Sequence, residues 1–125
     1  MAEPKASLLL VDDEPRILSA LERALRREGY ALEKADSVAS ALAILERRAF
    51  ALILSDYKMP GRNGAELLAI ARRRFPEMRR ILLSGWTPEI AGSEFEAAAP
   101  DAVHTKPWDD EALKDSIRSL LMERT

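Results

Sequence analysis

Asp12 and Asp13 close the apolar run Ser7 to Val11, and Asp56 follows a second apolar run, Ala51 to Leu54. Ser84 follows Arg80 to Leu83, and Lys106 follows Ala102 to Thr105. If these runs are neighbouring strands, all five polar residues reach one sheet edge. Three carboxylates in one pocket repel one another and call for a cation. Oxygen donors without His or Cys suit hard, hydrated Mg²⁺, which takes one or two carboxylates and leaves places for water and phosphate oxygens. An ammonium and a hydroxyl on the far side then complete an arrangement suited to in-line phosphoryl transfer onto Asp56.

The elements that must position these groups are visible in the hydrophobic pattern. Short, continuously apolar runs read as strands buried on both faces, and in an open α/β sheet the carboxyl edge is where ligands bind. After the first strand, Pro15 fits the first turn of a helix, and acids favour its positive end. That helix is expected to bury Ile17, Ala20, Leu21, Ala24 and Leu25 and to close at Gly29. Leu18 falls off this stripe, so it is expected outside the core as a contact for a partner. Tyr30 to Ala35 reads as an edge strand because Glu33 and Lys34 interrupt it. Ser37 is an expected N-cap for a helix from Val38 to Arg48 with the stripe Val38, Ala41, Leu42 and Leu45.

Beyond Asp56, Pro60, Gly61 and Gly64 read as a loop leading into a helix that carries Leu67, Leu68, Ile70 and Ala71 and stops at Phe75-Pro76. Trp86 to Pro100 is poorly patterned and predicts a short helix broken near Gly92. The last helix is expected over Asp109 to Met122, with Leu113, Ile117, Leu120 and Leu121 inside. Five strands alternating with five helices through short connections predict an α/β fold, a doubly wound parallel sheet with helices on both faces.

With 125 residues, the chain is expected to form a single domain over 1–125, with its core at about 6–122 and no output domain. Zero cysteines exclude disulfides, thiolate metal sites and a Cys nucleophile. A formal charge of −2 gives no basis for a nucleic-acid or membrane partner. Met1 to Ser7 lacks the apolar core of a signal peptide, and a cytoplasmic protein is expected. The arginines at 72–74 and 79–80 are expected to form a solvated patch.

Leu10-Val11-Asp12-Asp13-Glu14-Pro15, Asp56-Tyr57-Lys58-Met59-Pro60-Gly61, Leu83-Ser84-Gly85 and Lys106-Pro107-Trp108 resemble, in order and spacing, the receiver domain of two-component response regulators. The resemblance covers essentially the whole chain. It implies a CheY-like, flavodoxin-like (βα)5 fold with strand order 2-1-3-4-5 and no turnover of a separate substrate. It also implies a phosphoacceptor role for Asp56, Mg²⁺ held by Asp13, Asp56 and the backbone carbonyl of Lys58, and Asp12 acting through metal-bound water. Ser84 and Lys106 would contact the phosphoryl oxygens. The implied phosphodonor is a histidine kinase or phosphotransfer protein, met by an apolar rim of Ile17, Leu18, Pro107 and Trp108. The downstream effector is not implied, and the protein is expected to be a monomer or a phosphorylation-promoted dimer.

Two departures from the family pattern stand out. Many receivers place an aromatic residue three positions before the lysine, where this chain has Val103; alternation points the ring of His104 to the opposite face. Signalling is therefore expected to run through the Ser84 loop and the weak helix after it. Lys58 and Trp86 hold the positions that tune phosphoryl lifetime, and their bulk predicts a long-lived phosphoryl form. Lys58 also stands where haloacid-dehalogenase-like hydrolases carry a second acid, which disfavours an aspartyl-phosphate phosphohydrolase. A phosphorylation-independent binding scaffold of the same fold is the other alternative, and it would need none of the five polar residues.

Overall fold

The computed structural model describes residues 6–85 and 92–122. In chain order the elements are β1 (Ser7–Val11), α1 (Pro15–Leu25), a 3₁₀ turn (Arg26–Glu28), β2 (Ala31–Ala35), α2 (Val38–Arg47), β3 (Leu52–Asp56), α3 (Gly64–Arg74), β4 (Arg79–Ser84), α4 (Gly92–Ala98), β5 (Ala102–Thr105) and α5 (Asp110–Met122). The strands pair in parallel in the order β2-β1-β3-β4-β5, as expected.

Alternation along the central strands divides the core in two. Leu9, Val11, Ile53 and Leu82 meet residues of α2 and α3 on one face of the sheet. On the other face, Leu8, Leu10, Leu52, Leu54, Ile81 and Leu83 meet α1 and α5. The edge strand β2 keeps its charges at the surface, where Lys34 pairs with Glu22 at 3.1 Å and Glu33 pairs with Arg48. Ser37 caps α2 through a reciprocal box with Ser40, and Asn63 caps α3 the same way with Glu66. The chain leaves α1 through the 3₁₀ turn, and Gly29 reverses it at φ 90°.

Two expectations are corrected. Leu18 lies in the core with Leu21 and Leu25, 7% exposed, whereas Ile17, Ala20 and Ala24 are only half-buried. The three leucines form their own stripe at i, i+3 and i+7. Burying leucines releases more apolar surface than burying alanines, so the helix turns its leucine side inward. Arg80, expected in a solvated patch, is 8% exposed. Its guanidinium donates to the carbonyls of Ala98 (3.1 Å), Met78 (3.3 Å) and Ala99 (2.9 Å). It thus caps the C-terminal end of α4, where carbonyls lack intrahelical partners and positive charge is favoured. Ala99, just past that end, sits at φ 41°.

Replacing Arg80 by Ala leaves these carbonyls without their donor, and urea denaturation should show a loss of about 2–3 kcal/mol. Arg80→Lys should recover only part of it, because an ammonium lacks the planar fork that reaches three carbonyls.

Candidate functional site

Parallel pairing brings the polar residues to one edge. The register aligns Asp56 with Leu83 and Ser84 with Thr105, while Asp12 follows the last residue of β1. Asp12 is fully buried, Asp56 is 4% exposed and Ser84 2%. Lys106 reaches back across this edge, with its Nζ 3.3 Å from Asp12 Oδ2 and 3.3 Å from Asp56 Oδ2. Glu14 Oε1 lies farther out at 3.8 Å. Backbone bonds lock the strand ends together: Tyr57 N–H donates to the Leu83 carbonyl (2.8 Å), and Lys106 N–H to the Ser84 carbonyl (3.1 Å).

The electrostatics follow from burial. Desolvation, then repulsion from Asp12, pushes the Asp56 carboxyl up to about 6, although Lys106 opposes the rise. Desolvation also raises Asp12. Burial alone would lower Lys106, but the Asp56 and Asp12 carboxylates overcome it and raise the ammonium. One oxygen each from Asp12, Asp13 and Asp56 falls within 4.8 Å of the others, with Asp13 the most exposed. Lys106 balances part of this charge. The donors are all oxygens, so the cluster fits a hard divalent cation.

The family model for the response regulator receiver domain matches residues 8–118. The chain belongs to this family. It is 38% identical over 120 residues to the hydrogenase transcriptional regulatory protein HoxA of Cupriavidus necator, covering 94% of this chain and 24% of that protein. The signal receiver domain of an HD domain-containing protein from Pseudomonas fluorescens superposes with a TM-score of 0.91 at 29% identity, covering 99% of this chain and 92% of that one. The response regulator protein TrrA of Thermotoga maritima, solved in complex with Mg²⁺-BeF, superposes with a TM-score of 0.83 at 28% identity over 91% of this chain and 97% of that one. The receiver spans about a quarter of the length of HoxA and of the regulator FleR of Pseudomonas aeruginosa.

Within the receiver, the approach of α3 to the end of β3 depends on Gly64. A Cβ there would lie 2.0 Å from the Asp56 carbonyl oxygen, an impossible contact. Gly64 N–H donates to the Tyr57 carbonyl (2.7 Å), and Ser55 Oγ donates to that of Asp56 (2.9 Å). In the sequence Gly64 reads as part of the loop, since a close approach leaves no local mark. Met59 is buried and anchors the loop in the core, whereas Lys58 is exposed.

The other expected residues divide. Ile17 and Trp108 both pack against the α1–α5 side of the core; Pro107 is exposed; Leu18 is core, as described above. Trp108 donates its indole N–H to Asp110 Oδ1 (2.8 Å). Val103 packs on the α2–α3 side, while His104 turns the other way and pairs with Ser116 Oγ at 2.7 Å. Trp86 lies outside the described residues. Sequence reading missed Tyr57, Asn63 and Glu94. Tyr57 Oη donates to Glu94 Oε1 (2.7 Å) and Asn63 Nδ2 to Glu94 Oε2 (2.9 Å). The spacing Asn63-x-x-Glu66 signals the cap, but nothing local ties Tyr57 to a residue of α4.

The raised Asp56 carboxyl has a consequence for stability. The folded state holds the proton up to about pH 6 and the unfolded chain only to about 3.8, so stability falls as pH rises through that window. Without divalent cation at pH 7, Asp56→Asn should therefore be more stable than the parent by up to about 3 kcal/mol. Denaturation at pH 7, 5.5 and 4 should show the advantage shrinking toward the acid end.

Proposed function

We propose that Asp56 accepts a phosphoryl group from a phosphohistidine of a histidine kinase or phosphotransfer protein in a Mg²⁺-dependent step. The observation that carries this is Lys106 held between the buried carboxylates of Asp12 and Asp56 at the carboxyl edge of the sheet. Asp13, Asp56 and the backbone carbonyl of Lys58 would hold Mg²⁺, with Asp12 acting through water. Bound there, the cation neutralises charge on the phosphoryl oxygens and lowers the cost of ionising Asp56.

An Asp56 carboxylate oxygen attacks phosphorus as the bond to the donor imidazole breaks, and the imidazole nitrogen keeps the electron pair. Lys106 gives up part of its contact with Asp56 and pairs with a phosphoryl oxygen. Ser84 donates a hydrogen bond to another. Burial of Asp56 and Ser84 keeps competing water away from the acyl phosphate. Lys58, exposed two residues beyond Asp56, would shield its outer side, so the phosphoryl form is long-lived. The receiver promotes its own modification and slow hydrolysis and turns over no separate substrate. The exposed Lys58, where a hydrolase would carry an acid, favours this over a phosphohydrolase. It works in the cytoplasm, as a monomer or a dimer promoted by phosphorylation.

Incubation with Mg²⁺ and acetyl phosphate should add one phosphoryl group by intact mass, and Asp56→Asn or removal of Mg²⁺ should abolish it. Absence of any adduct, from acetyl phosphate or from a phosphorylated donor, would move the chain to the scaffold alternative.

The donor is met by Ile17, Pro107 and Trp108 beside the acidic edge, without Leu18. Ile17→Asp and Trp108→Asp should slow transfer from a phosphorylated donor at least about tenfold and leave acetyl phosphate labelling unchanged. Equal slowing with both phosphodonors would place these residues in the fold rather than the contact.

A further inference from the structure

The attachment of α4 is unlike that of the other helices. Among the described residues Ala98 is its buried residue, and Phe95, its largest apolar side chain, is 40% exposed. Hydrogen bonds hold it instead. At its C-terminal end, Arg72 donates to the carbonyls of Glu96 (3.2 Å) and Ala97 (3.3 Å), and Arg80 to those of Ala98 and Ala99. Near its N-terminal end, Glu94 accepts from Tyr57 Oη and Asn63 Nδ2. With so little apolar burial among its described residues, the helix depends on bonds such as these for its position.

Tyr57 stands at a junction. It follows Asp56 directly; its N–H holds the Leu83 carbonyl one residue before Ser84; its carbonyl receives the N–H of Gly64 at the start of α3. Its ring then reaches α4. Backbone on three sides is thus tied to one side chain whose hydroxyl carries the bond to Glu94. No aromatic side chain occupies position 103, so β5 offers no ring of that kind to relay a change at Asp56.

We propose that the Tyr57–Glu94 bond, seconded by Asn63, is a latch that holds α4 in its resting position and is released by phosphorylation of Asp56. A phosphoryl group that engages Ser84 draws the end of β4 toward itself. The Leu83–Tyr57 bond carries that shift to the ring, and the hydroxyl moves off the carboxylate. The N-terminal half of α4 then swings about the end that Arg72 and Arg80 still hold. This coupling presupposes the phosphoacceptor role proposed above, and it is reciprocal: whatever breaks the latch must also favour the phosphorylated state.

The test uses beryllofluoride as the phosphoryl mimic, titrated with Mg²⁺ present into the parent chain, Tyr57→Phe, Glu94→Ala and the double variant, alongside amide exchange of residues 92–98. Losing one such hydrogen bond should tighten beryllofluoride binding about 5-fold in Tyr57→Phe. The double variant should match Glu94→Ala, because the Tyr57–Glu94 bond is already lost in that single variant. Exchange in α4 should rise in resting Tyr57→Phe to the level that the parent reaches only with beryllofluoride. Equal or weaker binding in both single variants, additive effects in the double, or unchanged α4 exchange would overturn the latch while leaving the phosphoacceptor role intact. Failure of the parent itself to bind would overturn both.

Discussion

An ammonium group 3.3 Å from each of two buried carboxylates sets the conditions that the rest of this fold satisfies. Removing three charges from water is costly, and a buried ion pair is tolerated only when its geometry is held firmly. The holding is done by β1 and β3, whose apolar residues lie fully buried between two layers of helices. Their side chains cannot shift without opening a cavity in one layer or the other. Asp12 and Asp56 are therefore fixed at neighbouring strand ends, and Lys106 must come to them from β5, two strands beyond β3. Lys106 stands equally close to both carboxylates, and burial with the Asp12 charge still raises Asp56 to about 6. A cluster of carboxylates that Lys106 balances only in part suits a divalent cation.

The same rigidity cannot extend to every element, and the division falls between the helices. Those covering the centre of the sheet contribute leucines, isoleucines and valines: α1 through Leu18, Leu21 and Leu25, α2 through Val38, Ile44 and Leu45, α5 through Leu113, Ile117 and Leu120. α4 contributes Ala98. Apolar burial is non-directional and tolerates small displacements gradually, whereas a hydrogen bond weakens steeply with angle and distance. A helix fixed by hydrogen bonds has discrete positions. One fixed by a deep apolar stripe has a single one.

What could be read from the chain follows the same physics. Continuous apolar runs ending in acid, hydroxyl or lysine marked the strands and their functional edge, because two-sided burial leaves a pattern in consecutive residues. Ser37 and Pro15 marked helix starts because capping is local. Leu18 was misread because alanines entered the stripe with the same weight as leucines, though they release far less surface. Arg80 was misread because charge runs usually face water, and nothing within the run shows that unpaired carbonyls wait some twenty residues later in the chain. The contact between Gly64 and the Asp56 carbonyl and the bond from Tyr57 to Glu94 arise only once the sheet has brought distant segments together.

Position 103 draws these strands of reasoning together. Val103 packs on the α2–α3 side, and His104 beside it is committed to Ser116 on α5. Neither side chain on this strand is an aromatic ring able to swing between outside and inside. Besides Lys106, what ties Asp56 to its surroundings is the backbone at the end of β4 and at the first residue of the β3–α3 loop. Both meet at Tyr57. Its side chain reaches the helix with the least apolar anchorage among the described residues, which is where a hydrogen bond weighs most against packing.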